Sequence, residues 1–270
     1  MKIINQKKED LLFCLDKLIE SRLESTSDEI DLEVKKIINK VKIEGDEALI
    51  KFAKIYDKTL INASQILIPE KIRNSYKEKI DKKFIKSFKI AINNITTFHK
   101  KQLPSNYRIN KDGLTTGLLW KPIESVGLYV PGGKASYPSS LLMSVIPAKV
   151  AGVKRIVVTT PPPPKKNDFN PYLMALLDII GIKEVYQIGG AQAIAALAYG
   201  TKTVKPVNKI FGPGNAYVSS AKKQVYGMVG VDLIAGPSEI VVVADKNNNP
   251  NWVAADLIAQ AEHDEKAQSI

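Results

Sequence analysis

Three glycine turns and one short polar cluster are the places where residue type and spacing favour chemistry. The turns are PGGK at 131–134, GGAQ at 189–192 and GPGN at 212–215, and each follows a short apolar run of strand character. A turn that leads from a strand into a helix leaves backbone amides unpaired at the helix N-terminus, and such amides favour phosphate or another anion. The backbone needs of a βα turn explain any one of these glycine pairs equally well. Three of them in one βα sheet, on the carboxyl side of its strands, favour a nucleotide crevice. No G-x-G-x-x-G occurs, so the standard dinucleotide fingerprint is absent.

The cluster lies at 260–265, QAEHDE. Gln260 and His263 are three apart and share a helical face. Zinc takes His nitrogen and oxygen donors and needs three or four ligands, of which Gln is an unusual one. No H-E-x-x-H and no cysteine cluster completes such a site, so spacing alone leaves a metal role open. His99, the only other histidine, closes a long helical stretch and reads as structural or solvated. Ser238 in AGPSE lies outside a G-x-S-x-G elbow, and neither histidine is placed for a triad, so hydrolase chemistry has no support. Ser238 reads equally as a turn cap.

The elements that must position these residues change character along the chain. The first hundred residues read as helical. Val34, Ile37, Ile38 and Val41 form one apolar stripe, and Gly45-Asp46 supplies a stop and a fresh N-cap. Leu49, Phe52, Ala53 and Tyr56 form the next stripe. Pro69 opens a longer helix carrying Tyr76, Ile80, Phe84, Phe88, Ile92 and Ile95. Residues 107–123 read as a hairpin turning near Asp112-Gly113. From about 126 the pattern is strand, turn, helix, repeated: SVGLYV, RIVVTT, EVYQIGG and NKIFGPGN are strands, and the segments between them are helical. Pro147 must start or kink something. VDLIAG and SEIVVVAD read as further strands, with a last helix from about Pro250 into the Gln260 region. This rhythm predicts an α/β fold with a parallel sheet covered on both faces.

Composition narrows the class. With 39 Lys and Arg against 28 Asp and Glu, the net charge is +11. A basic balance raises nucleic acid and acidic membrane as partners. Here the charges are interleaved on helices rather than massed, which reads as a solvated face, so neither partner is expected. Cys14 is the sole cysteine, which forbids an internal disulfide and suits a reducing compartment; its setting, DLLFCLDKLI, reads as a buried helix face. No run of apolar residues is long enough to span a bilayer. A soluble, cytoplasmic protein is expected.

Five stretches, in order, resemble histidinol dehydrogenase: VGLYVPGGKASYPSSLLMSVIPAKVAGVKRIVVTTPPP, IGGAQAIAALAYGT, KIFGPGNAYVSSAKKQV, DLIAGPSEIVVVAD and DLIAQAEHD. The resemblance covers roughly residues 30–270 and is dense from 126 onward. It implies an aldehyde-dehydrogenase-like α/β fold with Rossmann-like sheets and a helical N-terminal region. It also implies a partition into an arm at 1–29, a discontinuous domain at 30–125 plus 237–270, and a nested NAD-contacting domain at 126–236. The implied activity is NAD-dependent oxidation of L-histidinol through L-histidinal to L-histidine, by a zinc-dependent homodimer.

The same resemblance implies that Tyr129, Gln192 and Asn215 contact NAD, that Ser238 contacts substrate, and that Gln260 and His263 bind zinc and substrate. In the family the acid–base Glu-His pair and two further zinc ligands follow this region. No catalytic residue is therefore expected before Ile270, and the 270 residues alone are expected neither to turn over histidinol nor to hold zinc tightly. Apolar surface is expected uncovered near the C-terminus. Another NAD-dependent alcohol or aldehyde dehydrogenase, and a non-catalytic nucleotide-binding module, remain open as other readings.

Overall fold

The computed structural model describes residues 12–14, 16–17, 19, 28–132, 138–165, 167–234, 238–262 and 267–270. They fall into two units: 28–234, and the described part of 1–27 with 235–270. In the first, the expected stripe builds helix α1 (Asp28–Glu44), with Val34, Ile37, Ile38 and Val41 all buried. Asp28, Glu29 and Asp31 in its first turn and Lys42 in its last suit the helix dipole. Gly45, at φ 58, ends it. Helix α2 (Asp46–Tyr56) follows at once. Asp46 is not the N-cap its position suggested: Gly45 occupies that place without a side-chain bond. The Asp46 carboxylate instead accepts from Thr201 Oγ1, Thr203 N–H and Thr203 Oγ1, tying the helix start to a distant loop.

A single turn, α3 (Ala63–Ile66), leads to α4 (Glu70–Lys77) and α5 (Lys82–Lys100). The single helix expected after Pro69 is therefore two. Asp81 adopts an extended conformation and accepts from Lys83 N–H at 2.8 Å, so the second helix starts from its own cap. On α5 the expected core stripe is only partly buried: Phe88, Ile92 and Ile95 pack on the core, while Phe84 is exposed beside Tyr172. Strands β1 (Tyr107–Lys111) and β2 (Leu114–Leu118) form the expected hairpin, with positive φ at both Asp112 and Gly113, the type I′ geometry that hairpin twist favours. Every residue of both strands is exposed. Cys14, read as buried, is only half-buried.

The rest of this unit is βα. Strand β3 (Ser125–Tyr129) leads to α6 (Pro138–Val150), β4 (Arg155–Thr160) to α7 (Pro171–Ile179), and β5 (Glu184–Gln187) to α8 (Gly190–Tyr199). Strand β6 (Lys209–Phe211) leads to α9 (Ala216–Val225), and β7 (Gly230–Val231) closes the set. Helix α6 carries Pro147 inside it, near its C-terminal end. The sheet is parallel throughout, in the order β5-β4-β3-β6-β7. Counted along the sheet's own strands this is 3-2-1-4-5, the doubly wound order, and its direction reverses between β3 and β6.

Side chains alternate between two cores. Val157 and Ile210 join α1, α2, α8 and α9 on one face, while Val126, Leu128 and Val158 join α6, α7 and side chains of α4 and α5 on the other. Each fully buried Leu or Ile here, such as Leu49, Leu176 and Ile194, contributes ~1.5–3 kcal/mol. Helices of the segment 28–125 pack on the faces of this sheet and belong with it to the unit 28–234.

The second unit is small. Strand β8 (Glu239–Ile240) pairs in parallel with β9 (Gln268–Ser269), and helix α10 (Pro250–Ala261) makes the crossover between them. The strand expected across SEIVVVAD shrinks to two residues, with Val241 and Val243 exposed. That expected across VDLIAG shrinks to Val231 at the end of β7, and 235–237 lie outside the described residues. Val243 is 92% exposed and Trp252 74%, which agrees with the apolar surface anticipated here. Among the described residues no helix is long and apolar enough to cross a membrane.

Candidate nucleotide crevice

The carboxyl ends of β3, β4, β5 and β6 open into one crevice of about 900 Å³. It lies at the strand-order reversal, where doubly wound sheets take their ligands. The glycine turns allow its walls to close up. A Cβ at Gly189 would lie 2.8 Å from Pro161 Cγ, and one at Gly132 would lie 3.1 Å from the same atom. Pro161, at the start of the proline run, is thus wedged between the turns that follow β3 and β5. Gly133 and Lys134 of the first turn lie outside the described residues.

Tyr129, Gln192 and Asn215 all line this crevice. Tyr129 is the last residue of β3 and is buried; its hydroxyl accepts from the Gly190 N–H at 3.2 Å, at the start of α8. Burial pushes the phenol up to about 12, so it stays neutral and keeps a proton to donate. Gln192 is buried in the first turn of α8. A Cβ on Gly190, whose φ is 58, would stand 2.9 Å from Gln192 Oε1, so glycine there makes room for the amide. Asn215 caps α9: its side chain accepts from Val218 N–H at 3.1 Å, which leaves its NH2 group for a ligand.

The GPGN turn is held from below. Gly212 has φ 118, and its N–H donates to Asp232 at 2.8 Å. Lys222, 3% exposed, donates to the carbonyls of Gly212 and Leu233 and forms an ion pair with Asp232. A buried ammonium with three oxygen partners is satisfied, and its work is to fix the turn that carries Asn215.

The opposite wall was not foreseen. Tyr56, read as a core residue, is 44% exposed and lines the crevice with Asp57 and Tyr217. Glu33 on α1 accepts from both phenols, at 3.1 and 3.2 Å, and so fixes the two rings. Thr59 binds this wall to the proline run: its hydroxyl donates to Pro163 O at 2.9 Å and lies 3.1 Å from Asp57 O. Asp57 Oδ2 is sealed from solvent and has no hydrogen-bond partner among the described residues, and burial pushes its carboxyl up to about 6. No lysine or arginine stands among the described lining residues; the charged ones are Asp57 and Asp168. No local pattern marks Asp57, which follows directly on the end of a helix.

Ser238, Gln260 and His263 belong to the second unit. Ser238 is exposed, and its carbonyl accepts from Gln268 N–H at 3.0 Å. Gln260 lies on α10 and is partly buried; its Nε2 is sealed and has no partner among the described residues. Exchanging the amide's oxygen and nitrogen would put an acceptor at that point. His263 lies outside the described residues. Among the described residues no three of His, Cys, Asp and Glu gather where a metal could sit. With its oxygen turned to that point Gln260 could supply one zinc ligand, and the described residues do not complete a site.

Comparison with known proteins agrees with this architecture. The model of the family "Histidinol dehydrogenase" matches residues 20–270. The chain is 50% identical over 245 residues to histidinol dehydrogenase of Mesorhizobium japonicum, and 48% over 247 residues to that of Listeria monocytogenes. These alignments cover 90% and 91% of the chain but 56% and 57% of those proteins, so the chain spans little more than half the length of the curated relatives it matches. The crystal structure of histidinol dehydrogenase from Elizabethkingia anophelis superposes with a TM-score of 0.83 at 37% identity, over 90% of this chain and 56% of that one. Sequence and fold together thus place the chain in the histidinol dehydrogenase family.

Proposed function

We propose that this chain is the NAD-contacting portion of a histidinol dehydrogenase, which oxidises L-histidinol through L-histidinal to L-histidine with NAD+ as acceptor. The observation that carries the reading is the meeting of Tyr129, Gln192 and Asn215 in one crevice at the reversal of a parallel sheet. Bound there, NAD+ supplies the hydride acceptor. The chain's own residues orient it. Tyr129 offers a neutral hydroxyl, Asn215 an NH2 group, and the first turns of α8 and α9 their dipoles. The packing of Pro161 against Gly132 and Gly189 closes the walls between three strand ends.

The substrate side rests on the second unit. Ser238, Gln260 and His263 are proposed to contact histidinol, and Gln260 and His263 to supply part of a zinc site in the whole homodimeric enzyme. The acid–base residues are proposed to lie outside this stretch. A polypeptide of these 270 residues, expressed alone, should bind NAD+ by calorimetry and yield no NADH from histidinol with zinc added. The Mesorhizobium japonicum relative, assayed beside it, should produce NADH. Absence of NAD+ binding would refute the crevice; turnover at the relative's rate would refute the assignment of acid–base chemistry elsewhere.

A further inference from the structure

We infer that the Asp57 carboxylate is the acceptor for a ribose diol of the dinucleotide, and that it rejects a cofactor phosphorylated on that ribose. The inference rests on the reading of the crevice as a dinucleotide site. In doubly wound folds the ribose acid normally sits at the end of the second strand of the sheet. That strand is β4, and it ends here in Thr159-Thr160 followed by the proline run; the acid of the loop that follows, Asp168, is exposed. Asp57 comes to the same region from another element. It follows α2, and Thr59 ties its segment to Pro163 in the loop after β4. Asp57 is thus a half-buried acid beside the β4 loop, whose own acid, Asp168, is exposed.

Its chemical state points the same way. The other buried or half-buried carboxylates of this unit are engaged. Asp46 holds Thr201 and Thr203, Asp31 holds Ser220 and Lys223, Glu184 holds Arg155 in a two-pronged pair, and Asp232 holds Lys222. Among the described residues Asp57 is the one carboxylate with a sealed oxygen and no partner. Looseness does not explain this. The Asp57 N–H donates to Ala53 O at 3.1 Å, and the neighbouring Thr59 is buried. No donor among the described residues meets its Oδ2.

Two vicinal hydroxyls are donors that match two carboxylate oxygens, and the broad torsion of an Asp side chain lets either oxygen face the crevice. A phosphate on the same ribose would bring a dianion against this carboxylate. No described lining residue is a cation that offsets it.

The test is calorimetric titration of the 270-residue chain with NAD+ and NADP+, for the natural chain and for Asp57→Asn and Asp57→Ser, with circular dichroism to verify folding. A hydrogen bond to a charged group is worth ~1.5–3 kcal/mol, so the natural chain should bind NAD+ roughly tenfold to a hundredfold more tightly than NADP+. Both variants should lose NAD+ affinity by about tenfold or more and retain little of the preference. A natural chain that binds both cofactors equally overturns the inference without any variant. Variants that keep natural NAD+ affinity, or the natural NAD+ to NADP+ ratio, overturn it while leaving the dinucleotide reading intact. A natural chain that binds neither cofactor overturns both.

Discussion

Substituting Asp57 by Asn should stabilise the protein at neutral pH and weaken its cofactor binding at the same time. Burial moves the carboxyl from 3.8 to about 6 in the folded chain. The folded state therefore holds the proton more tightly than the unfolded one. The sign follows from linkage: well below 3.8 the group is protonated in both states and costs nothing. Through the window from 4 to 6 the cost of ionising it in the fold grows, and above 6 the cost is complete. Two pK units correspond to ~3 kcal/mol at most. Asp57 is only half-buried, so water in the crevice screens its charge, and ~1–2 kcal/mol is the better figure. The neighbouring phenol of Tyr129 brings no positive charge to offset it, and the carboxylate in turn helps to hold that phenol up to about 12. Urea unfolding of the natural chain and of Asp57→Asn at pH 7.5 and pH 4 tests this directly. The variant should be more stable by ~1–2 kcal/mol at pH 7.5, with most of that difference gone at pH 4. A variant that is less stable at pH 7.5, or a difference that does not change with pH, would refute the account of Asp57 as an ion held at a cost.

Two further substitutions probe what holds the crevice. Gly212→Ala would place a methyl 2.1 Å from the Tyr129 carbonyl at φ 118, so it should cost at least ~3 kcal/mol or prevent folding, read by thermal unfolding. Asp46→Ala removes the acceptor for Thr201 and Thr203 and a favourable charge at the start of α2, and should cost ~2–3 kcal/mol in urea unfolding without altering the preference for NAD+ over NADP+.

What the sequence made legible was local or periodic. The Val34-Ile37-Ile38-Val41 stripe, the Asp112-Gly113 turn and the alternation of strands and helices from 126 all depend on neighbours within a few residues. They stand in the structure as read. The order of the strands depends on pairing between β3 and β6, some eighty residues apart, and no pattern in either strand specifies it. The long helix after Pro69 was read as continuous because the apolar stripe continues, whereas the Asp81 cap, a single side chain, decides the break. The two valine-rich strands near the C-terminus were read from β propensity. Propensity reports how a side chain fits a half-buried sheet, and Val241 and Val243 have no such sheet beside them here. The glycine turns were legible as turns. That three of the residues beside them meet in one crevice required the fold.

Asp57 belongs to the illegible part for a definite reason. In the sequence it is one acid among many after a helix, and its distinction lies in what surrounds it. The folded chain takes trouble over charge elsewhere: Lys222 has oxygens on three sides, Arg155 grips Glu184 with two prongs and two carbonyls besides, and Asp46 receives three donors. Each of these joins elements of the fold to one another, and removing a partner would leave a charge stranded. Among the described residues Asp57 joins nothing through its side chain, and its ionised form destabilises the fold that contains it. A group that lowers stability where its neighbours raise it is the expected signature of a ligand contact, because the missing donor arrives with the ligand. The same argument separates Gln260 from the polar residues around it. Its Nε2, on a helix in the other unit, is likewise sealed and without a partner among the described residues.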